Sequence, residues 1–130
     1  MDSQHPDRDA GLVYDLYQQG KRSLAAGNAR GAVEVLELAI EHEPAQASLR
    51  ETLGRAYFAA RKPRRALGEF QRAAELDPTD AYAHFGIGRC YEREGRDADA
   101  AKHFKLACAL ADRVDYRRAL DRVQRRLAEN

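Results

Sequence analysis

The sequence predicts an all-α fold: three helix-turn-helix units in a row, closed by one further helix. Three observations carry this. The chain resembles itself at a shift of 34 residues. Helix breakers fall at corresponding places in each copy, and an amphipathic run follows the last copy out of register.

Residues 51–78 (ETLGRAYFAARKPRRALGEFQRAAELDP) align without a gap on residues 85–112 (FGIGRCYEREGRDADAAKHFKLACALAD), and both align on Tyr17–Pro44. The units therefore run 13–46, 47–80 and 81–114. A flexible polar tail is expected at 1–11 and a closing helix at 115–129, so that one domain fills 12–130.

Within the second unit Leu53, Tyr57, Phe70 and Ala73 sit at helical spacing on two successive segments, as do Ile87, Tyr91, Phe104 and Ala107 in the third. Gly27, Pro63 and Gly95 separate the paired helices, and Pro44 and Pro78 end units, because proline has no N–H to continue a helix. Four columns recur: Gly20, Gly54 and Gly88; Ala32, Ala66 and Ala100; Leu36, Phe70 and Phe104; Ala39, Ala73 and Ala107. A glycine inside a helix costs about 1 kcal/mol relative to alanine. Three at one phase are expected where another backbone passes too close for a side chain. After residue 114, Tyr116, Leu120, Val123 and Leu127 fall at i, i+4, i+7 and i+11, an amphipathic helix suited to cover the apolar end of the third unit.

Composition narrows function. Lys and Arg total 22 against 21 for Asp and Glu, so there is no bulk attraction to nucleic acid or an anionic membrane. No apolar run approaches the roughly 18 residues of a membrane span. The start is acidic and polar where a signal peptide would be basic and then apolar, and the expected compartment is the cytoplasm. Cys90 and Cys108 lack any paired spacing and read as small core residues, with no metal and no cofactor expected. Trp is absent, so no Trp-lined cage for a small molecule can form.

The residues Leu53-Gly54, Tyr57, Ala66, Phe70 and Pro78, with Ile87-Gly88, Tyr91, Ala100 and Phe104, resemble the tetratricopeptide repeat in period and signature. The resemblance covers residues 13–114 and implies a right-handed α-solenoid. Departures stand where the family favours Trp (Leu16, Arg50 and His84), at Gln19 and Ser23 in the first unit, and at Asp112 in place of proline in the third.

The resemblance further implies that the first helix of each pair lines a concave groove that binds extended or helical peptides. The matching places hold Tyr14, Tyr17, Lys21 and Leu24, then Ser48, Glu51, Arg55 and Phe58, then Tyr82, Phe85, Arg89 and Glu92. Lys21, Arg55 and Arg89 form a basic ladder that suits an acidic partner segment. Tyr14, Tyr17, Phe58, Tyr82 and Phe85 add rings of the kind that anchor interfaces, Phe58 and Phe85 being equally suited to core packing. Some chaperone adaptors of the family grip a carboxyl-terminal peptide with a clamp of Lys, Asn and Arg. Here the clamp places hold Tyr17, Lys21, Thr52, Tyr82 and Gly86, and binding to chaperone tails is not expected.

The closing helix carries Arg117, Arg118, Arg122, Arg125 and Arg126, with Arg113 before it. They are interleaved with Asp115, Asp121 and Glu129 and read as a solvated outer face. His5, His42, His84 and His103 have no Ser or Cys nucleophile beside them, and no phosphate-cradling glycine loop is present, so no enzyme is expected. The reading is a scaffold or adaptor for another protein or peptide, with Tyr14, Tyr17, Lys21, Arg55, Phe58, Tyr82, Phe85 and Arg89 as its groove. A small-molecule substrate is not expected. The alternatives are a self-associating structural protein and, behind it, a nucleic-acid or membrane accessory acting through the closing helix.

Overall fold

The computed structural model describes residues 6–130, with side chains from Asp9 onward. Seven helices follow one another: α1 (Pro6–Ala25), α2 (Ala29–His42), α3 (Ala47–Ala59), α4 (Pro63–Leu76), α5 (Ala81–Arg93), α6 (Asp97–Leu110) and α7 (Val114–Glu129). Residues 1–5, the start of the expected tail, lie outside the described residues. The rest of that tail, from Pro6 on, is instead the beginning of α1.

Each helix packs on its neighbours in sequence, and α3 also touches α1 and α5, so the first helices of the units form one layer and the second helices another. The column residues explain the pairing. A Cβ built on Gly20 would lie 2.6 Å from Leu36 Cγ, one on Gly54 2.8 Å from ring carbons of Phe70, and one on Gly88 2.5 Å from ring carbons of Phe104. The glycines therefore make room for a side chain of the paired helix, where the sequence suggested a backbone. Gly86 serves the seam between units: its Cβ would sit 2.7 Å from the same Phe70 ring. Ala32, Ala66, Ala100, Ala39, Ala73 and Ala107 are fully buried beside these contacts.

The three inner turns share one closure. The N–H of Gly27 donates to Leu24 O (3.0 Å) and that of Asn28 to Ser23 O (2.8 Å); Arg61 donates to Phe58 O (3.1 Å) and Lys62 to Tyr57 O (2.9 Å); Gly95 donates to Glu92 O (3.0 Å) and Arg96 to Tyr91 O (2.9 Å). This Schellman closure requires a left-handed residue, and φ is 82° at Gly27, 78° at Gly95 and 64° at Arg61. Beyond the turns, Asn28 caps α2 by accepting from Gly31 N, Pro63 begins α4, and Asp80 caps α5 by accepting from Ala83 N.

At the carboxyl end α7 buries Ala119 and Val123 against Ala100, Ala101 and Phe104, and Tyr116 against Phe85. Its opposite edge does not dissolve into solvent as the sequence suggested. Arg122 donates to both oxygens of Glu92 (2.7 and 2.8 Å), and Arg126 to Glu92 (2.5 Å) and Asp97 (2.8 and 3.0 Å). Arg117 pairs with Asp112. These arginines clamp the closing helix to the third unit.

Two family departures serve one purpose. Arg50, in a column where the family favours Trp, donates from Nε to Pro44 O (3.0 Å) and pairs with Glu69 (3.0 Å). His84, one unit later, lies 3.2 Å by Nε2 from Pro78 O. A carbonyl only accepts, so Nε2 carries the proton there. Each side chain ties the start of its unit to the proline ending the unit before.

Candidate functional site

Lys21, Leu24 and Ala25 of α1, Arg55, Phe58 and Ala59 of α3, and Tyr82, Arg89 and Arg93 of α5 line one open groove of about 680 Å³, with Arg61 at its lip and Phe70 at its floor. Lys21, Arg55 and Arg89 hold the same place in the three units, 34 residues apart, and all three line this groove.

Five of the eight expected groove residues meet here: Lys21, Arg55, Phe58, Tyr82 and Arg89. The other three do not line it. Tyr14 is 62% exposed, well up α1 from the groove residues. Tyr17 is half-buried against the core one turn before Lys21, whose Nζ lies 4.9 Å from its ring centroid. Phe85 faces the closing helix, with ring centroids 4.7 Å from Tyr116 and 5.7 Å from Phe104. Arg61 and Arg93 are cations the sequence reading did not single out. The shift of 34 residues placed Arg61 in line with Gly27 and Gly95, and that was the signal for it.

The groove is strongly one-sided in charge. Lys21, Arg55, Arg61, Arg89 and Arg93 line it, no carboxylate does, and none of the five forms an ion pair among the described residues. Four of the cations, all but Arg61, rest on rings instead. Arg89 and Arg93 Cζ lie 4.3 and 4.6 Å from the Phe58 centroid, and Arg55 Cζ lies 5.3 Å from that of Tyr82. Such stacking holds a guanidinium in place, contributing about 0.5–1 kcal/mol where exposed, while leaving its N–H edges free for an anion.

Two carboxylates that could have neutralised the groove are withdrawn from it. Glu92 is held by Arg122 and Arg126, and the hydrogen bond from Arg122, against some desolvation, takes its carboxyl down to about 2. Glu51 stands beside Arg55 on α3, but burial first and the neighbouring Asp80 second push its carboxyl up to about 7. Its charge is thereby disfavoured beside Arg55, which it offsets less than an ordinary carboxylate would.

Catalytic groupings do not assemble among the described residues. Burial pushes the Cys90 thiol up to about 12, so it is no nucleophile at neutral pH. His84 and His103 stack with centroids 5.9 Å apart, and the Nδ1 of each is buried without a hydrogen-bond partner. Among the described residues no three His, Cys, Asp or Glu side chains converge as a metal-binding group. No described helix is long and apolar enough to cross a membrane.

Stacked helix pairs with a charged, ring-lined groove across their first helices define a helical-repeat interaction module. Residues 51–114 match the family model of the tetratricopeptide repeat. That stretch carries tetratricopeptide repeats, on a fold that the first unit and the closing helix share. Superkiller complex protein 3 of Mus musculus is 30% identical over 103 residues, 79% of this chain, and the chain spans 6% of that protein's length. The tetratricopeptide domain of Arabidopsis OM64 superimposes with a TM-score of 0.88 at 18% identity, over 91% of this chain and 98% of that one. The first such domain of Spaghetti (RPAP3), bound to the HSP90 peptide SRMEEVD, superimposes with a TM-score of 0.87 at 18% identity, over 91% and 94%. At these identities the two structures speak for the shared fold.

Proposed function

We propose that the protein is a non-catalytic adaptor that holds an acidic peptide or helix segment of another protein in this groove, and that it works in the cytoplasm, in keeping with its two free cysteines. One observation carries the reading: five cations converge on one ring-lined groove in a chain whose net charge is only +1, and none has a carboxylate partner among the described residues. Keeping like charges together unpaired is unfavourable, and a bound anion relieves it. The peptide held by the Spaghetti domain is itself acidic. The clamp places here hold Tyr17, Lys21, Thr52, Tyr82 and Gly86, so the ligand envisaged depends on Arg55, Arg61, Arg89 and Arg93 and needs no terminal carboxylate.

Fluorescence anisotropy of a labelled oligoglutamate peptide, with a neutral Gly-Ser peptide as control, tests this. The wild-type chain should bind the acidic peptide at micromolar concentrations. A Lys21→Glu, Arg55→Glu, Arg89→Glu protein, shown folded by circular dichroism, should bind it at least about tenfold more weakly. Equal binding by both proteins would mean that the ladder is a solvated face.

Self-association is favoured by a separate observation. Leu106, Leu110, Val114 and Leu127 are exposed at the carboxyl end of the stack, and Leu12 and Leu38 at the other. A monomer across a concentration series in light scattering rules that reading out.

A further inference from the structure

The inner turn of the second unit stands out from its two counterparts. All three close in the same way around a left-handed residue, which is glycine at 27 and 95 and arginine at 61, with φ 64°. An L side chain is disfavoured in this conformation, and glycine would make the same turn without strain. Something other than folding is served by the arginine.

Its surroundings say what. Arg61 lines the groove together with Phe58, Arg89 and Arg93. The Arg89 and Arg93 guanidiniums both lie on the Phe58 ring, with Cζ 4.3 and 4.6 Å from its centroid, and the backbone N–H of Arg61 donates to the Phe58 carbonyl. Two guanidiniums thus rest on one ring, a third arginine lines the same groove, and none of the three forms an ion pair among the described residues. A single carboxylate carries one negative charge and can satisfy one such fork. A phosphoryl group carries about 1.5 to 2 negative charges and three acceptor oxygens, enough for several.

We infer that Arg61, Arg89 and Arg93 around Phe58 form a subsite for a phosphoryl group on the bound segment, and that Arg61 occupies a glycine position to complete it. This rests on the groove reading above and narrows its ligand from acidic to phosphorylated.

The test compares labelled peptides of one acidic sequence carrying serine, glutamate or phosphoserine at the centre, bound to the wild-type, Arg61→Gly and Arg61→Gln proteins. The wild type should prefer phosphoserine to glutamate by about tenfold. Both variants should lose most of that preference while still binding the glutamate peptide. Arg61→Gly should melt about 2–4 °C above wild type and above Arg61→Gln, since only glycine removes the strain as well as the charge. Equal affinity of the wild type for the phosphoserine and glutamate peptides overturns the subsite and leaves the adaptor reading standing. So does a preference that survives in Arg61→Gly, or an Arg61→Gly protein that melts lower than wild type. If the wild type binds none of the acidic peptides, the groove reading falls and the subsite with it.

Discussion

Replacing Arg122 and Arg126 together by alanine should loosen the closing helix by an amount that depends on pH. The two side chains supply every hydrogen bond drawn from α7 to Glu92 and Asp97. In the folded chain the Glu92 carboxyl falls from 4.5 to about 2, and at 1.36 kcal/mol per pK unit the ceiling is roughly 3 kcal/mol. Arg122 and Arg126 remain 49% and 40% exposed, so solvent screening reduces this to about 1–2 kcal/mol. For a domain of this size that is about 3–6 °C in Tm. The sign follows from linkage. A carboxyl depressed by folding stabilises above its unfolded value, and the contribution is lost as pH falls from 4.5 toward 2. Asp97, lowered by its hydrogen bond from Arg126, acts in the same direction. Urea unfolding followed by circular dichroism should show the full gap between wild type and variant at pH 7 and most of it gone by pH 3. A gap constant across that range would refute the electrostatic account and assign the loss to packing of the arginine stems.

Glu51 should behave in the opposite sense. Its carboxyl is raised to about 7, chiefly by burial, so the fold favours the protonated form and loses stability as pH rises from 4.5 through 7. Glu51→Gln should be near neutral at pH 5 and stabilise by about 1–2 kcal/mol at pH 8.5, after allowance for partial exposure, as read by urea midpoints. Gly86→Ala should cost about 1–3 kcal/mol, because its Cβ would meet the rigid Phe70 ring at 2.7 Å. Gly68→Ala, with nothing within 4 Å of the new Cβ, should gain about 0.4–1 kcal/mol by the same urea midpoints. Removing residues 115–130 bares Ala101 and Phe104, and light scattering should report aggregation of a chain that is otherwise helical.

The repeat and its helix pairs were legible because period, breakers and small-residue columns agree. The purpose of the glycines was only half legible: a column shows that space is needed, and the ring filling it comes from a residue 16 places away. Arg61 was hidden by its chemistry. A turn is read from glycine and proline, and Pro63 nearby supplied the breaker while the left-handed residue was an arginine. Arg122 and Arg126 read as a solvated face because their partners, Glu92 and Asp97, lie about thirty places earlier on two other helices. Phe85 misled in the same way. Its place in the unit suits a groove, but no later unit follows, and Tyr116 of the closing helix takes the ring.

The Phe70 ring, lodged between Gly54 of its own unit and Gly86 of the next, makes the stability of those two units a shared property. One unit earlier the place of Gly86 is held by Thr52, its hydroxyl donating to Ser48 O, and the place of Phe70 by the smaller Leu36. The seams therefore differ in kind: an aromatic ring set against a glycine fills the second, and the hydrogen bond from the Tyr57 hydroxyl to Glu37 crosses the first. In a linear array, local opening starts where nearest-neighbour coupling is weakest. Lys21 lies on one side of the first seam, while Arg55, Arg61, Arg89 and Arg93 belong to the two units that share the Phe70 ring. A ligand that bridged Lys21 and Arg89 would span both seams, and its binding should then register as stabilisation of the whole array.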